Sequence, residues 1–153
     1  EIIQELAATS RDNARTPMQW TSTPGAGFTE ARPWLGINPN YVNVNVEAQK
    51  KDPNSILNFY KKLIRLRREN PVLIHGKYEL LWPEHPQIFA YVRASQDEKL
   101  AVVVNLTGSV AEMPPVPSSA QLILSNYPER SEKDAVVRPF ESRIYSLTSS
   151  TLD

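Results

Sequence analysis

Cysteine is absent from the 153-residue sequence, which excludes disulfides, thiolate metal sites and cysteine nucleophiles from this chain. That suits a reducing compartment without requiring one. Net charge is also absent, with 17 basic residues against 17 acidic. The chain therefore lacks the electrostatic footprint of a nucleic-acid binder or of a protein held on an anionic membrane. No apolar run approaches the ~20 residues of a transmembrane helix. No signal peptide is visible. However, the chain opens at Glu1 in what reads as a helix (Ile2, Ile3, Leu6). This reads as the middle of a longer protein, so missing targeting signals mean little. Gly-rich phosphate loops are lacking. The two histidines, His75 and His85, have no partners at metal-ligand spacing and read as loop or edge residues.

Glycine is scarce and proline abundant, five against thirteen. Proline in loops restricts the unfolded chain, so this balance fits either a heat-tolerant source or a loop-rich sandwich. The length is near that of one domain, and 41% hydrophobic residues can support a core.

Along the chain, 1–10 reads as a helix end, with Thr9 or Ser10 able to cap the next turn. Residues 10–51 carry little periodicity and many punctuators, from Pro17 through Pro24, Gly25 and Gly27 to Pro39. So long a stretch without regular structure is either disordered or functional. Its aromatics Trp20, Phe28, Trp34 and Tyr41 argue for an ordered loop pinned against something larger. Asp52-Pro53 reads as a helix start, Asp52 the N-cap and Pro53 in the first turn. An apolar stripe from Ile56 to Leu66 comes next at helical spacing. Asn70-Pro71 ends it. The basic residues between Lys61 and Arg68 read as a solvated face.

After Gly76 the period becomes that of strands. KYELLW, QIFAYVRA, KLAVVVN, QLILSN, DAVVRP and SRIYSL are short β-rich runs bounded by turn residues. SQDE (95–98) reads as a hairpin turn, and MPPVP (113–117) as a loop or edge. Six or more strands without intervening helices indicate an antiparallel sandwich. Asn105-Leu106-Thr107 is a glycosylation sequon, but its place after LAVVV reads as a strand end.

For acid/base chemistry, Asp12, Glu30, Glu47 and Asp52 are present, but no spacing singles out a pair. The residues alone do not carry a complete active site. The exception is SRDNARTPMQW (10–20). A guanidinium offers a rigid fork of donors suited to vicinal hydroxyls or a carboxylate. Were the segment turned or helical, Arg11 and Arg15 at i and i+4 would project on one side. They serve either a sugar or a local ion pair with Asp12. Trp20 and Trp34 either pack the loop down or stack on a sugar ring.

SRDNARTPMQW resembles the signature in the last barrel loop of α-glucosidases of the α-amylase superfamily, glycoside hydrolase family 13. The nearest group is that of oligo-1,6-glucosidase and isomaltase. The resemblance continues through AGF (26–28), PW (33–34), NPNY (38–41) and NVE (45–47). DPNSILNFYKKLIRLR (52–67), IFAYVR (88–93) and RPFESRIY (138–145) extend it over nearly the whole chain. It implies a mixed fold. Residues 1–75 would form the end of a catalytic (β/α)₈ barrel, its last long loop with short helices and its eighth helix. Residues 76–153 would form the antiparallel β-sandwich known as domain C.

The implied activity is retaining hydrolysis of α-glucosidic bonds in short gluco-oligosaccharides. The catalytic carboxylates of that family lie upstream, so none is expected here, and the chain alone should be inactive. Arg11 resembles the arginine that binds the non-reducing glucose, and Arg15 the one at the neighbouring subsite, nearer the cleaved bond. Neither a cofactor nor a metal is implied. The implied partners are the substrate and the missing barrel portion, and the compartment is the cytoplasm. Thr21 stands where the family often has aspartate, and Ala14 leans toward the hydrolases over the sucrose isomerases. The alternative reading is a non-catalytic carbohydrate-binding or scaffold sandwich, using Trp82, Tyr91, Tyr127 or Tyr145. A transport-associated relative that lost hydrolysis is a third.

Overall fold

Strict alternation along IFAYVRA puts Ile88, Ala90 and Val92 on one side of a strand and Phe89, Tyr91 and Arg93 on the other. The computed structural model of the protein describes residues 2, 3, 5, 11–127 and 135–147, and in it Ile88, Ala90 and Val92 are buried. This strand, β2 (Ile88–Ala94), pairs antiparallel with β1 (Lys77–Leu81) and with β3 (Lys99–Asn105). The turn between β2 and β3 closes through Ser95 N–H to Glu98 O (2.8 Å) and Glu98 N–H to Ser95 Oγ (3.0 Å), as SQDE leads one to expect. β7 (Ser142–Ser146) and β5 (Gln121–Ser125) complete a five-stranded antiparallel sheet in the order β1-β2-β3-β7-β5.

A second sheet joins β4 (Ala111–Glu112) to β6 (Val136–Val137). Its inward residues Ala111, Met113 and Val137 pack against Ile88, Ala90, Val92, Ala101, Val103 and Tyr145 of the larger sheet. This is the two-layered antiparallel sandwich that the strand pattern foretold. β4 is an addition to that reading. Two residues ahead of MPP are too few to show a period.

Strands as short as β6 cannot satisfy their own backbone, and buried polar side chains do it instead. Asn105 is fully buried and its Nδ2 donates to Ser109 O, Val137 O and Arg138 O at 2.7–3.2 Å. Its Oδ1 accepts from Thr107 N–H (2.9 Å). The sequon asparagine is thus a saturated strand end. Glu141 and Arg143, 0% and 1% exposed, form a two-point ion pair, Nε–Oε1 2.9 Å and Nη2–Oε2 3.2 Å. Arg143 also donates to Val136 O and to the Tyr145 hydroxyl (3.2 Å), while Glu141 Oε2 accepts from Arg138 N–H (2.7 Å). Burial, the largest influence, pulls the Arg143 pKa down. The bonds and charges of Glu141 and Tyr145 outweigh it and hold the value above the ordinary one. RPFESRIY is therefore a structural lock on the sandwich.

The chain divides into two compact units, 1–61 and 62–153. In the first, Ile2, Ile3 and Glu5 are helical, while Thr9 and Ser10, expected as caps, lie outside the described residues. Short 3₁₀ turns come next, at Arg11–Ala14, Pro24–Gly27 and Pro39–Val42. α1 (Val46–Lys51) is capped by Asn45, whose Oδ1 accepts from Ala48 N–H (2.8 Å). α2 runs Ile56–Glu69, so it starts later than Asp52-Pro53 suggests. Asp52 instead ends α1 and accepts from Asn54 N–H (2.8 Å) in a tight turn. The free N–H groups at the start of α2 go to Ser55 Oγ, from Asn58 (3.2 Å), and to Gln49 Oε1, from Leu57 (3.0 Å). α2 passes from one unit into the other. In the second unit, α3 (Val72–His75) brings Val72 and Leu73 into a small cluster with Leu66 and Leu100.

Candidate functional site

Arg11–Ala14 is a 3₁₀ turn, closed by Arg15 N–H to Asp12 O (3.0 Å). The segment is thus turned, and in such a turn positions i and i+3 eclipse. The Arg15 side chain is exposed, and Pro17 behind it is buried.

The second half of the segment is structural. Gln19 O and Trp20 O accept from Val46 N–H and Glu47 N–H (both 3.0 Å), the first donors of α1, which no helical carbonyl can satisfy. Gln19 Nε2 reaches Asn40 Oδ1 (2.9 Å) and Val44 O. Trp20 N–H and Thr21 N–H share Ala26 O (2.8 and 3.1 Å). To present that carbonyl, Gly25, Ala26 and Gly27 all take positive φ (74°, 56° and 64°). At Gly27 a Cβ would also meet Thr21 Oγ1 at 2.8 Å. The peptide from Gln19 to Thr21 is thus clamped at both edges, a few residues after the arginine-bearing turn.

Around this clamp the aromatics face outward. Trp20 is 47% exposed, Phe28 51% and Trp34 85%, so Trp34 does not pack the loop down within the chain. The apolar face of α2 is bare in the same way, with Ile56 at 81% and Tyr60 at 63%. A concave feature within 62–153 was not foreseen from the sequence: a cavity of about 560 Å³ between the end of α2, α3 and the outer face of the sheet.

The aromatics proposed for a sugar-binding sandwich are otherwise engaged. Tyr145 is 1% exposed and Trp82 packs on the core. Tyr91 lies against Tyr78 and Phe89. The Tyr127 ring is covered by the Arg138 guanidinium at 4.0 Å, and its hydroxyl donates to Pro139 O (2.9 Å). His85 is a turn residue whose Nδ1 accepts from Gln87 N–H and Ile88 N–H (3.2 and 2.9 Å). Among the described residues no three His, Cys, Asp or Glu side chains cluster as metal ligands. Among the same residues no helix is long and apolar enough to cross a membrane.

Comparison with known proteins gives a consistent result. The family model described as Alpha amylase, catalytic domain, matches residues 1–76. Oligo-1,6-glucosidase of Halalkalibacterium halodurans is 45% identical over 151 residues, which cover 94% of this chain and 27% of that protein. Probable oligo-1,6-glucosidase 3 of Bacillus subtilis is 48% identical over 152 residues, covering 95% and 27%. The crystal structure of Bacillus licheniformis trehalose-6-phosphate hydrolase superposes with a TM-score of 0.86 at 37% identity, over 96% of this chain and 28% of that one. The chain thus spans about a quarter of the length of the relatives it matches.

Proposed function

The chain belongs to the α-amylase family, and from that premise we propose that it is the C-terminal part of a retaining α-glucosidase acting on short gluco-oligosaccharides. Residues 1–75 are the last loop and eighth helix of the catalytic barrel, and 76–153 are domain C. The observation that carries this reading is the 45% identity to an oligo-1,6-glucosidase sustained over 94% of the chain. A catalytic-domain match ending at residue 76, where the strands begin, supports the division.

In this reading the chemistry belongs to the rest of the protein. A nucleophilic carboxylate and an acid about 5–5.5 Å apart perform the double displacement. This chain contributes grip. Arg11 and Arg15 donate to hydroxyls of the glucose held at the barrel rim, the end where such sites lie. These bonds strengthen as the ring distorts toward the transition state and so raise the rate rather than affinity alone. The clamp at Gln19 and Trp20 keeps the turn in place, which matters because small misplacements of positioning groups cost rate steeply. The partners are the substrate and the preceding barrel portion, and the compartment is the cytoplasm. Trp82, Tyr127 and Tyr145, three of the four candidate aromatics of a sugar-binding sandwich, are packed or covered, and Tyr91 faces the cavity beside Tyr78.

The test is an assay of the full-length parent beside the 153-residue chain. The parent should hydrolyse isomaltose or maltose and release the α-anomer first, seen by ¹H NMR, while the chain alone hydrolyses neither. A parent inert on every α-glucoside would replace this reading with that of a non-catalytic relative.

A further inference from the structure

β1 closes one side of the five-stranded sheet and pairs only with β2. The ladder tells which of its backbone groups are left over. Ser95 N–H donates to Glu98 O (2.8 Å) and Leu106 N–H to Gln87 O (3.1 Å), so the odd-numbered residues of β2 turn their N–H and C=O toward β3. Its even-numbered residues turn theirs toward β1, where Ala90, Val92 and Ala94 stand opposite Leu81, Glu79 and Lys77. The N–H and C=O of Tyr78 and Leu80 therefore point out from the sheet. Among the described residues no other strand pairs this edge.

An open edge is a template for a further strand, and a lysine on it is a common device against such pairing. Lys77 alone fits that role, but Glu79 lies two residues on and so on the same face. Their ladder partners are Ala94 and Val92, so neither meets a charge across β2. Among the described residues neither forms an ion pair. Opposite charges two apart make the strand complementary to itself. Pairing across the edge needs one outward-facing residue opposite another, which leaves few antiparallel registers for two copies. Tyr78 opposite Tyr78 of the second copy sets Lys77 against Glu79 twice, at the closer, non-hydrogen-bonded positions. Tyr78 opposite Leu80 would set Glu79 against Glu79. Tyr78 opposite Gly76 would set Lys77 against Lys77. Like charges directly opposite are destabilising, so charge selects the first register. On the other face that register gathers Tyr78 and Leu80 of both copies, now 48% and 42% exposed.

We propose that the β1 edge is an interface between two copies of the protein, paired antiparallel about Tyr78 so that their sheets run on into one. Each copy gives the same strand, as a two-fold contact requires. A different partner would need no match between charges of the strand itself. The contact uses nothing of the sugar site, so it goes beyond the proposed function and does not depend on it.

The test is the mass of the full-length parent by sedimentation velocity over a concentration series, with two charge variants whose folding is checked by circular dichroism. Wild type should sediment as a dimer. Glu79→Lys sets lysine against Lys77 at both positions, and Lys77→Glu sets glutamate against Glu79. Each variant alone should sediment as a monomer. Mixed in equal amounts they restore both pairs, and the dimer should return. A wild type that is monomeric at every concentration would overturn the proposal. So would single variants that stay dimeric, or a mixture that stays monomeric. If a variant fails to fold, amide hydrogen exchange of the wild type decides. Tyr78 and Leu80 should exchange more slowly as concentration rises, and rates independent of concentration would overturn the interface. Hydrolysis is read in a separate assay, so the failure of either reading leaves the other standing.

Discussion

The two units hold themselves together by different means. Residues 62–153 bury a nine-residue core between two sheets, and the burial of that apolar surface drives their folding. Among the described residues of 1–61 the buried side chains are few: Ala26, Asn45 and Ser55 beside Pro17. Side chains of Gln19, Asn45 and Asn58 donate to backbone carbonyls there, and Gln49 Oε1 accepts from a backbone N–H, while Trp34 and Ile56 stand above 80% exposed. Hydrogen bonds contribute only about 1 kcal/mol each on balance. They define a shape but do not supply the drive that a core does. A unit built this way has a defined shape with its large apolar side chains uncovered, which suits the role proposed for it above.

The largest effect expected is within the sandwich. Glu141→Ala strands the buried Arg143 and should cost about 3–5 kcal/mol, read as a fall in the urea midpoint of the parent. Replacing both by apolar residues of similar size should cost much less, because no unpaired charge remains. A small effect of Glu141→Ala would show that β6 is not held by this pair.

Next comes a matched pair of core truncations. Ile88→Ala should cost about 2–5 kcal/mol wherever it is measured. Ile56→Ala separates a covered face from a bare one. In a parent whose barrel covers α2 it should approach the same range, whereas a face left as exposed as here would keep it within about 0.5 kcal/mol.

The smallest effect is at the cap of α1. Asn45→Ala removes the bond from Ala48 N–H and the donation to Tyr41 O (2.9 Å), for about 0.5–2 kcal/mol. Because α1 anchors Gln19 and Trp20, kcat/KM should fall along with the thermal midpoint. A stability loss with unchanged kinetics would show that the clamp is irrelevant to the arginines.

How far these features are legible in the sequence depends on the same contrast. β2 and β3 can be read because burial alternates with the pleat. α2 can be read from its stripe, though its start cannot, since Ser55 is the cap and Gln49 reaches it across a turn. α1 is hidden because VEAQKK carries no stripe, and only the Asn45 cap betrays it. The Glu141–Arg143 pair left a usable signal: residues two apart in a strand share a face, and Tyr145 two further on shows that the face is inward. For the candidate site, the resemblance supplied roles for Arg11 and Arg15 that spacing alone left open between a sugar and a local ion pair. The backbone there is a 3₁₀ turn.

The claim that the arginine-bearing turn belongs to the sugar site is tested most directly by kinetics of the full-length parent with Arg11→Ala, its fold checked by circular dichroism. The expected result is a fall in kcat/KM of at least about 100-fold, equivalent to about 2.7 kcal/mol of lost transition-state stabilisation, with a smaller fall for Arg15→Ala. Unchanged kinetics in a folded Arg11→Ala variant would remove the turn from the sugar site and leave it a purely structural part of the loop.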